Sequence, residues 1–194
     1  MWTSCSDTVW LCARIIYLAF PVLFAAALHL AVLRDNLFAR LKTPIDLGRT
    51  FRGRRILGDH KTWRGALVMI AGSTLGMGFQ GYLRVPRLEL FDYGQVNLWL
   101  CGALLGLGFA LGELPNSFLK RACGIPPGRP AEGSGYWFFT LLDQADSVVG
   151  CLLALALVWP PPWIVVLTAL LLGCSFHIGF NLLFVLLGLK ERAL

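Results

Sequence analysis

From Ser147 to Leu189 the chain carries no Asp, Glu, Lys or Arg. A run of that length is too long for one membrane-spanning helix, which needs about 20 apolar residues, and no water-soluble core would shelter it. The rest of the sequence agrees. It is 57% hydrophobic and only 14% charged, with a mean hydropathy of +0.67, whereas soluble domains carry about 25% charged residues. This excludes a secreted, fibrous or disordered chain and points to an all-α polytopic membrane protein. Pro160-Pro161-Pro162 divides the long run, because successive prolines remove backbone donors and clash with the preceding turn.

Five spans are expected, at about 10–33, 65–83, 93–112, 136–159 and 163–188, joined into one membrane domain over 1–194. The first apolar segment is too long for a signal-peptide core. Lys and Arg orient the bundle. Of the 17 basic residues, only Arg14, Arg84 and Arg87 fall outside the loops 34–64 and 113–135 and the C-terminal tail. Positive loops stay in the cytoplasm, so both loops and the C-terminus are expected there and the N-terminus outside. The expected location is the cell (inner, cytoplasmic) membrane. The six cysteines are scattered without a C-x-x-C pair and indicate neither a disulfide framework nor a zinc site.

Against this apolar background, polar residues inside a span default to function. Asp143 and Asp146 are separated by three, so both carboxylates share one helix face. Asp143 would lie about 10 Å inside the cytoplasmic end. Two carboxylates side by side repel, and a divalent cation would remove that cost; Mg²⁺ is commonly held by one or two carboxylates plus substrate phosphates. An ion pair to a loop arginine is the plainer alternative. His177 and Asn181 share a face of the fifth span, and Asn181 reaches a similar depth. Asn116, Ser117, Lys120 and Arg121 follow the third span, where Pro115 is expected to kink the exit. Such a basic group serves as a positive-inside anchor or as a phosphate contact. In the first loop, Gly48, Gly53, Gly58 and Gly65 recur among arginines. Gly58-x-x-Lys61-Thr62 offers backbone amides, an ammonium and a hydroxyl together, without Walker A spacing. A polybasic patch for anionic lipid is the alternative.

Taken together and in order, five elements resemble the CDP-archaeol synthase family of membrane cytidylyltransferases. They are Pro44-Ile45-Asp46, the segment from Gly58 to Gly65, the segment from Leu114 to Arg121, Asp143-Gln144-Ala145-Asp146, and His177 with Asn181. The five-helix layout matches as well. The Lys-Asp and His-Gly-Gly stretch of the related phosphatidate enzymes is missing, and Pro126-Pro127-Gly128 and Gly133-Ser134-Gly135 occupy the interval. The resemblance therefore favours the shorter, archaeol-type enzyme.

What the resemblance implies is CTP-dependent transfer of CMP to a membrane lipid phosphate, with release of pyrophosphate. It implies Mg²⁺ on Asp143 and Asp146, with Lys120 and Arg121 beside them as catalytic residues. Asp46, Arg55, Gly58, Lys61, Thr62, Arg64, Asn116, Ser117, His177 and Asn181 would contact CTP or the lipid phosphate. Partners are then CTP, the acceptor lipid and membrane lipids. No nucleic acid is expected, and a homo-oligomer is compatible with the layout. The competing readings are a CTP-dependent lipid or polyprenol kinase, and a small channel, carrier or scaffold in which Asp143 and Asp146 line a cation path.

Overall fold

The computed structural model describes residues 5–129 and 131–186. Five helices follow one another: α1 (Cys5–Arg34), α2 (Trp63–Leu83), α3 (Leu98–Ala122), α4 (Tyr136–Leu155) and α5 (Trp163–Leu186). α1 to α4 are long and apolar enough to cross a membrane, and α5 is apolar over Trp163–Phe176. A small antiparallel hairpin, β1 (Thr50–Phe51) with β2 (Arg54–Arg55), interrupts the loop between α1 and α2. The fold is the expected all-α membrane bundle. α3 is central, packing along α2 on one side and α4 on the other.

Several boundaries move. The third span, expected at 93–112, begins at Leu98, where the Asn97 side chain accepts a hydrogen bond from Leu100 N–H and caps the helix. Tyr93 is uncharged and buried, yet it belongs to a loop. Its ring packs on Phe91 and Tyr17 at the end of the bundle away from the basic loops. Charge-free sequence reports burial, and burial does not require a helix. At its other end α3 runs through Pro115 to Ala122, so residues 113–122 are helix where loop was expected. α1 starts earlier than expected, at Cys5, and α4 stops earlier, at Leu155.

Glycines let the helices approach closely. A Cβ on Gly72 would lie 2.8 Å from the Ala25 backbone of α1. On α3, Cβ atoms at Gly102 and Gly106 would meet α2 carbonyl oxygens at 2.6 and 2.5 Å. On its other face, those at Gly108 and Gly112 would meet α4 carbonyls at 2.4 Å each. Small residues four apart bring helices together where lipid offers no hydrophobic drive between them. α3 carries two such faces, one for each neighbour.

Pro21 sits within α1 and cannot donate to the carbonyl of Tyr17 one turn earlier. Gln80 of α2 supplies the missing donor, its Nε2 reaching Tyr17 O at 2.6 Å. Lipid could not hydrogen-bond that carbonyl, so a neighbouring helix does.

Candidate active site

α3 and α4 approach most closely around Gly108, Gly112 and Gly150, and the polar residues gather just beyond that contact. Asn116 is buried and donates through Nδ2 to Asp143 Oδ1 at 2.6 Å and to Asp146 Oδ2 at 2.7 Å. Lys120, one turn further along α3, places Nζ 2.5 Å from both oxygens of Asp143. Asp146 Oδ1 accepts from the Ser147 amide at 2.6 Å. The expected i, i+3 face of α4 is therefore real. Lys120 offsets its charge, Asn116 donates to both carboxylates, and among the described residues no loop arginine pairs with them. Asp143 keeps 40% of its side chain exposed, enough to meet a ligand.

A divalent cation fits this set. Two hard carboxylates converge through a shared Asn116, whose own Oδ1 is buried without a hydrogen-bond partner. Among the described residues no three His, Cys, Asp or Glu side chains form a metal cluster. Such an ion would complete its shell from substrate oxygens and water, as Mg²⁺ commonly does.

Lys120 and Arg121 part company. Consecutive helical residues point about 100° apart. Lys120 faces Asp143, while Arg121 is buried under the first loop, with Nη1 3.7 Å from where a Cβ on Gly58 would sit. Its Nε is buried without a hydrogen-bond partner. Arg121 was expected beside the aspartates together with Lys120, and its side chain lies under the first loop instead. Ser117 is half-buried and is likewise turned from Asn116 by one helical step.

The first loop is organised from within. Asp46 accepts hydrogen bonds from the amides of Gly48, Leu57 and Gly58 and from Arg55 Nε and Nη2. Arg55 also pairs with Asp59 at 2.6 Å. Burial pushes the Asp46 carboxyl up, but Arg55 and the three amides outweigh it and hold it well below the usual carboxylate range. Asp46 and the Gly58 amide thus shape the loop; they were expected to face ligand. Thr62 caps α2, its Oγ1 accepting from Gly65 N–H at 3.2 Å. Arg64 was expected at the ligand and lies elsewhere. It is buried and donates to Asn36 Oδ1 and Leu37 O, pinning the end of α1 to the start of α2. Lys61 does reach inward and pairs with Glu113 of α3.

A group whose folded pKa is depressed contributes stability above its unfolded value, and that stability is lost as pH falls through the folded one. Asp46 therefore holds the loop undiminished at every pH above about 4. Asp46→Asn is expected to cost about 2 kcal/mol of stability at neutral pH and to raise the KM for nucleotide. Thermal melts at pH 5 and pH 8 check this: the deficit relative to the unaltered protein is the same at both.

The two loops meet over the same end of the bundle. Arg54 Nη1 caps α3 by donating to Ala122 O at 2.7 Å. The ring of Phe51 lies 5.9 Å from that of Phe118. Pro127 presses on Gly58, which has φ +94° and no room for a Cβ. The side chains of His177 and Asn181 lie outside the described residues, although their backbone belongs to α5.

Two residues not singled out in the sequence, His29 and Glu113, join the site. A cavity of about 580 Å³ between α1, α2 and α3 is lined by His29, His60, Lys61, Thr62 and Glu113 at one side and by apolar residues at the other. Between Arg14 and Arg34, α1 carries no Asp, Glu, Lys or Arg, and His29 is its one histidine; that isolation was its signal.

An apolar bundle that gathers paired carboxylates and a lysine at one end, beside a buried arginine and basic loops, has the makings of an intramembrane enzyme for anionic substrates. Residues 9–193 match the family model described as CarS-like, CDP-archaeol synthase, and the chain belongs to that family. It is 33% identical over 157 residues to a CDP-archaeol synthase of Archaeoglobus fulgidus, covering 77% of this chain and 83% of that protein. Against the Methanoculleus marisnigri enzyme of the same name it is 37% identical over 164 residues, with 77% and 88% covered. The match to the Pyrococcus furiosus protein is shorter, 40% over 102 residues, and spans 57% of that protein. A solved structure described as an intramembrane enzyme for archaeal membrane lipids biosynthesis aligns with TM-score 0.63 and 28% identity. It covers 86% of this chain and 92% of that one.

Proposed function

We propose that Asp143 and Asp146 hold Mg²⁺ at the cytoplasmic end of the bundle, with Lys120, Arg121 and Lys61 meeting the phosphates of CTP and of the acceptor. The chain itself, as a member of the CDP-archaeol synthase family, is a CTP-using cytidylyltransferase that converts a lipid phosphate to a CDP-lipid. The observation that supports the site reading is Asn116 bridging both carboxylates while Lys120 closes on Asp143.

The chemistry follows from charge. An oxygen of the lipid phosphate bonds to the α-phosphorus of CTP, the α–β bridging bond breaks, and pyrophosphate leaves with that electron pair. The nucleophile is already an anion at neutral pH, so the protein needs no strong general base. Its task is to hold two anions in line and to offset their repulsion. When bound, a divalent cation supplies neutralisation of the polyphosphate. Asn116 fixes the two carboxylates in one orientation. Lys120 offers an ammonium beside them, and the buried Arg121 guanidinium offers an unsatisfied donor that a phosphate oxygen would satisfy. His177 and Asn181 are expected to add contacts from α5. The positive charge of the loops supports a cytoplasmic orientation of this end, in the cell membrane.

CTP labelled at the α- or the γ-phosphate tests the reading with purified protein, Mg²⁺ and a lipid phosphate. The α-label is expected in the lipid and the γ-label in pyrophosphate. A lipid carrying the γ-label would make the protein a kinase and overturn the reading.

A further inference from the structure

The chain between α1 and the hairpin takes no part in the site described above, yet it is built at a cost. After Arg34 it turns through Asn36 and Phe38, at φ +47° and +51°, a region that bulky L-residues rarely adopt. The turn is firmly held. Leu37 N–H donates to Val32 O at 3.0 Å and Leu41 N–H to Phe38 O at 2.9 Å. The buried Arg64 donates to Asn36 Oδ1 and Leu37 O from the first turn of α2. This conformation buries none of its own apolar side chains: Leu37, Phe38 and Leu41 are all exposed, Phe38 by 62%. A strained turn, fixed by a buried arginine and presenting three apolar side chains outward, is shaped for something outside the chain.

The flanking charges define the chemistry of that partner. Arg34, Arg40 and Lys42 are interleaved with the apolar residues and exposed, against the single carboxylate of Asp35, 3.8 Å from Arg34. Among the described residues neither Arg40 nor Lys42 has an ion-pair partner. Depth agrees with charge. α1 has 30 residues, about 45 Å of helix, which matches a bilayer measured across its headgroups. The chain after Arg34 therefore emerges at headgroup level. Thr43 O accepts from Trp63 N–H at 3.0 Å, and the Trp63 side chain is exposed beside it, as an interfacial aromatic should be.

We propose that residues 37–42 are an interfacial anchor for the anionic lipid headgroups of the leaflet nearest the basic loops. Leu37, Phe38 and Leu41 enter the acyl boundary, while Arg34, Arg40 and Lys42 meet lipid phosphates. Arg64 passes that hold to the start of α2. The net positive charge of the segment selects anionic over zwitterionic headgroups. The anchor makes no use of the paired carboxylates and stands whatever reaction they serve.

Hydrogen exchange of the full-length protein in lipid nanodiscs reads the contact directly. The amides of residues 37–42 are expected to exchange about tenfold more slowly in discs containing phosphatidylglycerol than in phosphatidylcholine alone, since each basic residue at an anionic surface is worth about fivefold. High salt should erase the difference. Arg40→Gln with Lys42→Gln is expected to remove the dependence on lipid charge and to leave the melting temperature unchanged. Phe38→Ser, which removes the wedge, is expected to exchange faster in both lipids. Equal exchange of the unaltered protein in the two lipids overturns the proposal, as does a difference that survives neutralisation of Arg40 and Lys42. Slowing that appears only at raised protein concentration, or only when a soluble partner is added, would assign the surface to a second copy or to another protein and overturn it as well.

Discussion

Asp143→Asn is expected to lower turnover about a thousandfold or more while the protein still inserts and melts near the temperature of the unaltered chain. The substitution keeps the shape of the side chain and removes its charge. Lys120 then faces a neutral amide at a site where only 14% of its own side chain is exposed, and one of the two hard anionic ligands for a cation is gone. Asp146→Asn is expected to behave alike, because Asn116 holds both carboxylates through a single Nδ2. Cytidylyl transfer from labelled CTP is the measurement, paired with a thermal melt. Turnover of either variant within tenfold of the parent would show that the paired carboxylates are not the centre of the reaction.

The second large effect concerns packing. Gly150→Val is expected to destabilise by at least about 3 kcal/mol and to abolish activity. A Cβ at Gly150 would lie 2.1 Å from the Gly108 carbonyl oxygen, and backbone cannot move aside as a flexible side chain can. Separating α3 from α4 there would also draw Asp143 and Asp146 away from Asn116 and Lys120, so stability and chemistry fail together. Gly179→Ala on α5 is the control. Among the described residues nothing lies within 4 Å of its added carbon, and the melting temperature should hold. A Gly150→Val protein that melts normally would mean that the glycine contact does not set the spacing of these helices.

Legibility differed between elements for physical reasons. The carboxylate pair was readable because charge inside an apolar run is costly and survives only with a purpose. The continuation of α3 past Pro115 was not, because an apolar count ends where charges begin although the helix does not. The Gly102, Gly106, Gly108 and Gly112 spacing stood in the sequence as two small-residue faces. Which helix each face meets depends on the bundle. His29 was visible only as an isolated polar residue in a long apolar helix.

By itself the sequence determined the solvent, the helical class, the family and the residues that are costly to keep in a membrane, because transfer into lipid penalises each polar group one at a time. The tertiary structure decided which of those residues meet. It turned Lys120 towards Asp143 and Arg121 under the first loop. It committed Asp46, the Gly58 amide and Arg64 to holding backbone in place, and it set His29 of α1 and Lys61 on one cavity. Those outcomes depend on the rotation of each helix about its axis and on the distance at which neighbours stop, and both are set by the glycine contacts between whole helices.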